Sequence, residues 1–300
     1  MSGVKILLFG KNGQVGWELQ RSLAPLGELV ALGSSGDQGL CGDFADPQGL
    51  ARTVLEVRPD AIVNAAAYTA VDKAESEPER ARTINAVAPG ALAEAAQEIG
   101  AALVHYSTDY VFDGSGSLPW QENDPTGPLS TYGRTKLEGE QRIAQVLARH
   151  LILRTSWVYA ARGGNFAKTM LRLAKERPEL TVIDDQFGAP TGAELLADVT
   201  AHAVRALLAD PAKAGIYHVA AAGETTWHGY ATFVVEQAAR AGVALKATAE
   251  QIKPVPTSAF PTPARRPHNS RLDTAHFRTA FGLVLPPWQL GVARMLTEIL

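Results

Sequence analysis

Short apolar runs alternate along the first half of the chain with segments whose apolar residues recur every three or four positions. The runs lack polar alternation, as is typical of strands covered on both faces of a sheet, and lie at 4–9, 29–32, 61–63, 102–106 and 151–153. Helical spacing fills the intervals at 14–23, 47–57, 79–99 and 131–147. Asp46 and Ser130 precede two of these segments as predicted N-caps. Repeated strand, helix, strand units predict a doubly wound α/β fold with a parallel sheet.

After Arg154 the pattern is less regular. A Gly-rich stretch at 161–165 and five prolines within 253–267 interrupt it. Helical spacing recurs in the remaining segments, at 166–175, 194–208, 227–241 and 288–300. We therefore expect two domains, a first at 1–156 and a smaller one at 157–300, with segments of the second half returning to the sheet.

Composition narrows the class of protein. Of 300 residues, 46% are apolar and 20% are charged, and the formal net charge is −3. These values exclude disorder and give no basic patch for nucleic acid or an anionic membrane. No apolar run approaches the roughly 20 residues that span a bilayer, and no signal peptide is recognisable, so we expect a cytoplasmic protein. The single cysteine, Cys41, excludes an internal disulfide framework, and the seven histidines lack metal-binding spacing, so no catalytic metal is expected.

A glycine-rich turn follows the first predicted strand, with the sequence Gly10-Lys11-Asn12-Gly13-Gln14-Val15-Gly16. Glycine at every third position permits a tight turn, close approach of backbone N–H groups to a pyrophosphate, and close packing of the next helix. That helix presents its N-terminus to the negative charge. The position between a strand and a helix favours a Rossmann-type dinucleotide site over an ordinary turn.

Residues after the next strands bear on which dinucleotide binds. Leu32 is followed by Gly33-Ser34-Ser35-Gly36, so no carboxylate is placed to repel a 2′-phosphate, and Lys11 offers a positive charge to it. We expect NADPH to be preferred and NADH tolerated. Further candidates lie beyond the second and third strands: Asp43 and Phe44 for the adenine, and Ala65, Ala66 and Ala67, which follow Asn64, for close approach of the dinucleotide. Simple helix–sheet packing is an equally good interpretation of the alanines.

Tyr132 and Lys136 form a second candidate motif. A spacing of four residues places them on one helical face, about 6 Å apart along the axis. A free tyrosine has a pKa of about 10, and a fixed neighbouring cation lowers that pKa toward neutrality. Thr108 ends the fourth predicted strand, where open α/β sheets bind ligands, and offers a hydroxyl beside Tyr132. This set suits hydride transfer to a ketone with proton delivery to the nascent alkoxide.

With these motifs the chain resembles the extended short-chain dehydrogenase/reductase family, and within it the reductases of 4-keto nucleotide sugars. The resemblance runs nearly end to end and rests further on 105–114, 154–159, 185–191 and 266–272. It implies a catalytic triad of Thr108, Tyr132 and Lys136, and sugar-nucleotide contacts from Asp109 and Trp157. It also implies a homodimer with Mg²⁺ held by Glu18 and Glu194, for which exposed helix positions are an equally good interpretation. Arg266 and Asn269 belong to the pattern without an assigned role.

Three alternatives remain open. Dehydratases of the family carry Asp-Glu after the threonine, whereas Asp109 is followed here by Tyr110, which disfavours elimination. An epimerase would retain its cofactor and regenerate it in each turnover. A non-catalytic regulatory subunit, as in the β subunit of methionine adenosyltransferase, resembles the same family, but the complete set of Thr108, Tyr132 and Lys136 favours an enzyme.

Overall fold

The computed structural model describes residues 3–300. Its strands, in chain order, are β1 (Val4–Phe9), β2 (Gly27–Leu32), β3 (Ala61–Asn64), β4 (Ala102–Thr108), β5 (His150–Thr155), β6 (Val158–Tyr159), β7 (Leu180–Ile183), β8 (Phe187–Gly188), β9 (Thr191–Gly192), β10 (Gly215–His218), β11 (Thr225–Thr226) and β12 (Ile252–Val255). Its α-helices are α1 (Gln14–Leu23), α2 (Pro47–Val57), α3 (Val71–Ala74), α4 (Pro78–Arg82), α5 (Ala88–Ile99), α6 (Thr131–Val146), α7 (Phe166–Glu176), α8 (Ala193–Ala209), α9 (Trp227–Arg240), α10 (Ala275–Phe281) and α11 (Trp288–Ile299).

Six strands form a central, wholly parallel sheet in the order β10-β5-β4-β3-β1-β2. Strand order reverses between β1 and β3, and such a switch point leaves a crevice at the carboxyl ends of the strands. The buried apolar residues of β1, β3 and β4 face helices on both sides, which is why these runs lack polar alternation. The predicted α/β fold with a doubly wound parallel sheet is confirmed.

The helix predicted at 79–99 is interrupted, so that single-helix prediction was wrong. A π-helical turn, Thr83–Val87, separates α4 from α5. Pro89 follows the turn and has no N–H to donate to the carbonyl of Asn85, which removes one α-helical hydrogen bond. A Cβ on Gly139 of α6 would lie 2.2 Å from that carbonyl oxygen, so the π turn is in close contact with α6. Apolar periodicity alone does not register such a turn.

Parts of the second half of the chain join the central sheet and the helices that cover it. Strand β10 extends the central sheet beside β5, and the buried face of α8 packs with α1 residues in one core cluster. The remaining segments build a core of their own around Tyr230, Val234 and Met295. Short paired strands connect these segments: β6 with β9, β7 with β12, and β8 with β11. The division at residue 156 therefore does not coincide with a division of the sheet.

Cys41 is half-buried and its thiol is free. Its backbone N–H donates to Thr53 Oγ1 at 2.7 Å, and the Thr53 hydroxyl donates back to the Cys41 carbonyl at 3.0 Å. These bonds tie the loop before α2 to that helix. None of the helices within residues 3–300 has the length and apolarity needed to cross a membrane.

Candidate active site

A cleft of about 1310 Å³ opens at the carboxyl ends of the sheet strands, at the switch point. It brings together most of the residues singled out in the sequence. The predicted residues that line it are Gly10, Asn12, Gly13, Gln14, Val15, Asp43, Phe44, Ala65, Ala66, Ala67, Thr108, Asp109, Tyr132, Lys136 and Trp157. Lys11 and Gly16 lie outside this lining set.

The glycine-rich turn leaves no room for side chains at two of its positions. Gly10 has φ +85°, and a Cβ there would lie 2.7 Å from the backbone nitrogen of Ala66. A Cβ on Gly16 would lie 2.0 Å from the Gly10 carbonyl oxygen, so Gly16 serves the packing of α1 against the turn. Gly13 caps α1 without a side chain, which leaves the first N–H groups of the helix open toward the cleft.

Unpartnered buried polar atoms support a bound group in this cleft. Within residues 3–300, four cleft residues carry a buried oxygen without a hydrogen-bond partner, namely Gln14 Oε1, Ser107 Oγ, Asp109 Oδ2 and Thr155 Oγ1. Buried polar atoms are normally satisfied, so such a cluster in one cavity indicates ligand partners. Together with the open N-terminus of α1, these atoms fit a nicotinamide dinucleotide and a polar substrate.

Asp43 and Phe44 both line the cleft where the sequence predicts the adenine, and each contacts other parts of the protein. Asp43 Oδ1 accepts a hydrogen bond from the Ala45 N–H at 2.9 Å. Phe44 is 5% exposed and packs edge-on against Phe9, with 5.7 Å between ring centroids. Phe44 is therefore mainly a core residue that presents part of its surface to the cleft.

Lys11 lies beside the end of β2. Its backbone N–H donates to the Leu32 carbonyl at 3.1 Å, and its Cε would lie 3.9 Å from a Cβ at Gly33. The neighbouring Ser34 lines the cleft. Lys11 thus flanks the place where the sequence predicts the adenosine ribose, although its side chain does not form the cleft wall.

Tyr132 lies in the first turn of α6, which Ser130 caps by accepting the Gly133 N–H at 3.2 Å. Its ring meets Tyr110 edge-on, with centroids 5.5 Å apart. Burial raises the pKa of the Tyr132 phenol, interaction with the Thr108 hydroxyl lowers it in part, and the nearby Asp109 carboxylate raises it. Tyr132 is accordingly a neutral phenol that can donate a proton.

Lys136 lies close to two groups of β4. Its Nζ lies 2.5 Å from the Tyr106 carbonyl oxygen and 3.1 Å from Nε2 of His105, and within residues 3–300 no hydrogen bond joins it to the Tyr132 phenol. Burial lowers the pKa of Lys136 to about 8, and Glu140 raises it in part. Burial raises the pKa of the Tyr132 phenol, so the expected lowering of that pKa by Lys136 stays a prediction. The sequence interpretation missed His105.

Thr108 and Asp109 form a buried hydroxyl–carboxyl pair at the end of β4. The Thr108 hydroxyl donates to Asp109 Oδ1 at 3.0 Å and accepts the Tyr110 N–H at 3.2 Å. Burial raises the pKa of the Asp109 carboxyl to about 6, while the Ser270 and Thr108 hydroxyls lower it in part. Asp109 lines the cleft, and its Oδ2 has no hydrogen-bond partner within residues 3–300.

Trp157 lines the cleft, and its ring is in contact with Trp227 and Gly188. It stacks on Trp227 with 3.7 Å between centroids and an interplanar angle of 15°. A Cβ at Gly188 would lie 2.8 Å from Trp157 Cε2. Its φ of +49° is rare for a residue of this size. Trp227, which also lines the cleft and donates from Nε1 to Gln186 Oε1 at 3.0 Å, was missed because 70 residues separate the two indoles.

Arg266 and Asn269 now have distinct positions. Arg266 lines the cleft and pairs with Asp72 at 2.7 Å, with its other nitrogen 3.4 Å from the Tyr110 hydroxyl. Asn269 is buried and donates to the carbonyls of Leu118 and Ser115, which fixes a loop outside the cleft. Arg80 and Arg162 join Arg266 in the cleft wall, where Arg80 lies 3.6 Å from Glu77.

Glu18 and Glu194 lie away from the cleft lining. Glu18 is 3.5 Å from Arg21, and Glu194 is 4.0 Å from Arg294. Burial raises the pKa of the Glu194 carboxyl; Arg294 opposes this, and Glu298, Glu18 and Asp198 add to it by repulsion. Residues 3–300 contain no group of three acidic, histidine or cysteine side chains close enough to hold a metal ion within one chain.

Comparison with known proteins identifies the family. The model of the RmlD substrate-binding domain matches residues 4–300. The chain is 62% identical over 296 residues to the dTDP-4-dehydrorhamnose reductase of Escherichia coli K12, with 99% of this chain and 98% of that protein covered. Crystal structures of dTDP-4-dehydrorhamnose reductases from Clostridium acetobutylicum and, with NADP bound, from Bacillus anthracis superpose with TM-scores of 0.88 and 0.87. They are 34% and 33% identical and cover 98% and 99% of this chain, and 99% of each of their own chains. The chain therefore belongs to the RmlD family, that of the dTDP-4-dehydrorhamnose reductases.

Proposed function

We propose that this protein reduces the C4 keto group of dTDP-4-dehydro-L-rhamnose to give dTDP-L-rhamnose, with NADPH as the preferred reductant and NADH tolerated. The observation that carries the proposal is the cleft itself, in which the glycine-rich turn and the Thr108–Tyr132 pair line one continuous cavity. The name shared by relatives that match nearly the full chain supports the identity of the substrate.

Four side chains of the protein have separate roles in the reduction of the ketone. A bound nicotinamide supplies the hydride for C4. The Tyr132 phenol donates the proton to O4, and the Thr108 hydroxyl orients that oxygen beside it. Asp109 Oδ2, which has no partner within residues 3–300, accepts a hydrogen bond from a sugar hydroxyl. Trp157 packs its indole against the apolar face of the deoxyhexose.

Positive charge in the cleft wall suits the diphosphate groups of the cofactor and of the sugar nucleotide. The first turn of α1 binds the cofactor pyrophosphate through backbone N–H groups. Arg80, Arg162 and Arg266 supply the cations available to the remaining phosphates. On this proposal residues 1–156 mainly bind the dinucleotide, residues 157–300 mainly bind the substrate, and β10 returns to the sheet.

The setting of the enzyme is part of the proposal. We expect a cytoplasmic homodimer that acts on a small nucleotide sugar, without nucleic acid or membrane as partner, in the synthesis of rhamnose for cell-surface polysaccharide. Mg²⁺ would be held between copies by Glu18 and Glu194, where it would relieve the repulsion around the half-buried Glu194. Sedimentation with Mg²⁺ and with EDTA tests this, because Glu194→Gln should abolish any metal-dependent change in mass.

Oxidation of NADPH with a panel of 4-keto sugar nucleotides tests the proposed reaction. We expect the highest kcat/KM with dTDP-4-dehydro-L-rhamnose and a stoichiometric deoxyhexose product. Tyr132→Phe is the matched control, since it retains the ring and removes the donor. A protein that binds NADPH but oxidises it with no member of the panel would contradict a reductase and favour the regulatory alternative.

A further inference from the structure

A short loop from the second half of the chain reaches the glycine-rich turn. It comprises residues 161–164, between β6 and α7. A Cβ on Gly163 would lie 3.5 Å from Cγ of Gln14, the first residue of α1, which is an ordinary van der Waals distance. The loop therefore lies beside the helix N-terminus at which the cofactor pyrophosphate is proposed to bind.

Hydrogen bonds fix both ends of this loop. The side-chain amide of Asn165 donates to the Ala160 carbonyl at 2.6 Å, and Lys168 Nζ donates to the Ala161 carbonyl at 2.7 Å. Two glycines follow Arg162 in the sequence. Arg162, which is exposed and lines the cleft, is therefore the one long side chain that the loop presents to it.

The Arg162 guanidinium lies over the indole of Trp17, on α1. Its central carbon is 4.0 Å from the centroid of the ring. Trp17 is 47% exposed, and its backbone N–H donates to the Gly13 carbonyl at 2.9 Å, which places it one turn into the helix. An aromatic face attracts a guanidinium and leaves the N–H groups in the guanidinium plane available to an anion.

Arg162 differs from the other two arginines of the cleft wall in the charges around it. Arg80 lies 3.6 Å from Glu77, and Arg266 lies 2.7 Å from Asp72. Within residues 3–300, no salt bridge joins Arg162 to a carboxylate. Its charge is therefore available to a phosphate, with which a guanidinium forms strong charge-assisted hydrogen bonds.

We propose that Arg162 binds the cofactor pyrophosphate, together with the backbone N–H groups at the start of α1, and that Trp17 is a positioning residue that holds the guanidinium there. The inference rests on the proposed function, because it takes a nicotinamide dinucleotide as the ligand of the turn. NADPH and NADH share the pyrophosphate, so Arg162 should strengthen the binding of both, whereas Lys11 is expected to act on the 2′-phosphate alone.

The sugar nucleotide carries a diphosphate as well, and the position of the loop decides between the two sources. Both contacts that the loop makes across the cleft, with Gln14 and with Trp17, are with α1. The N-terminus of this helix follows the glycine-rich turn, which is the predicted pyrophosphate site. The geometry therefore favours the cofactor as the ligand of Arg162.

Binding measurements with Arg162→Gln test the proposal without any keto sugar. We expect the Kd of NADPH and that of NADH, from fluorescence titration, each to rise about tenfold, as is typical for the loss of a hydrogen bond to a charged group. The Kd of dTDP, from calorimetry, should not change. A loss confined to NADPH would assign the charge to the 2′-phosphate, and one confined to dTDP would assign it to the substrate. Either result, or unchanged binding of all three, overturns the proposal.

Two variants of Trp17 test its positioning role. Trp17→Leu should raise the Kd of both cofactors about threefold, the usual size of an exposed cation–π contact, and Trp17→Phe should restore most of the affinity. In the Arg162→Gln background, Trp17→Leu should cause no further loss, because the indole acts through the guanidinium. A further loss of the same size in that background would contradict this role.

Arg172→Gln is the matched control for charge. Arg172 is exposed on α7, the helix that follows the loop, and pairs with Glu176 at 2.9 Å. The variant removes the same charge from the protein, and the Kd of both cofactors should not change. A tenfold loss here as well would show that Arg162 acts only through the net charge of the protein, which contradicts a specific contact.

Limited digestion with trypsin tests the contact in the unaltered protein. Saturating NADPH or NADH should slow cleavage of the exposed bond after Arg162, whereas dTDP should not. The bond after Arg240, exposed at the end of α9, is the internal control and should be cleaved at an unchanged rate. Equal protection of the two bonds, or protection of neither, contradicts the proposal. A protein that binds neither cofactor would overturn the proposed function itself, whereas unaltered cofactor binding in Arg162→Gln removes only this assignment.

Discussion

The two walls of the cleft are built in different ways. The wall that the proposal assigns to the cofactor, here the cofactor wall, comprises residues 10, 12–15, 42–44 and 65–67, in short turns that directly follow or border the sheet strands β1, β2 and β3. The substrate wall, Trp157, Trp227 and Arg266, is assembled from distant parts of the chain. Arg266 pairs with Asp72 across 194 residues. The first wall depends on local backbone geometry, and the second on which remote segments pack together.

This difference explains what the sequence could show. The glycine spacing at 10–16 can be recognised from a short stretch of sequence. The predicted boundaries of β1, α1 and α2 also match the structure. The stack of Trp157 on Trp227 has no local signature, because neither residue specifies its partner.

Tyr132→Phe should have the largest effect. Since the phenol is the only proton donor assigned in the proposal, its loss should lower kcat by about 10² to 10⁴, as is usual for general acid catalysis. NADPH affinity, measured by fluorescence titration, should stay within twofold, because the cofactor wall is untouched. A similar loss of NADPH binding would show that the two walls are not independent.

Loss of either indole should affect substrate rather than cofactor. We expect Trp157→Ala and Trp227→Ala each to lower kcat/KM for the sugar nucleotide by roughly tenfold, the equivalent of about 1.4 kcal/mol. The double variant should lose less than the product of the two, because stacked aromatic pairs are coupled by about 0.5–1.5 kcal/mol. Fully additive losses with a large fall in melting temperature would instead assign the pair to the core.

Asp109→Asn should make the stability of the protein less dependent on pH. The pKa of about 6 in the folded protein lies above the ordinary value of 3.8, so the folded protein binds a proton more readily than the unfolded chain. Stability from this group is present below pH 3.8 and is lost as pH rises through 6. The variant should therefore be more stable at pH 7, by at most about 3 kcal/mol, with the gain vanishing toward pH 4.

Asp113→Asn is the control for that experiment, since Asp113 is exposed and the Ser115 N–H holds its carboxyl pKa below the usual range. Its melting temperature should change in the opposite direction at pH 7. Equal changes of melting temperature in the two variants, or a stability gain of Asp109→Asn that does not depend on pH, would contradict the conclusion that burial raises the pKa of Asp109.

Lys11→Ala should have the smallest effect and sharpen the description of the cofactor wall. A partly exposed ion pair contributes about 0.2–1 kcal/mol, so kcat/KM with NADPH should fall by a few fold and that with NADH should not change. Equal losses with both cofactors would assign Lys11 to the structure of the turn.

Between the walls, the sequence identified the residues but not their contacts. Thr108, Tyr132 and Lys136 were all found from position and spacing, yet spacing does not show where a flexible four-carbon side chain points. Lys136 turns to His105 and the Tyr106 carbonyl, and those partners lie on a strand that apolarity alone identified. Likewise, periodicity does not encode the π turn at Asn85 or its close packing against Gly139.

Transfer of deuterium from NADPH labelled on its reactive C4 face tests the central claim, that this cleft joins a nicotinamide to a sugar ketone, most directly. With dTDP-4-dehydro-L-rhamnose, the account predicts one deuterium at C4 of the deoxyhexose and one NADP⁺ released per product, with the rate reduced in Tyr132→Phe. Deuterium retained on a cofactor that is never released, or a product labelled elsewhere than C4, would contradict it.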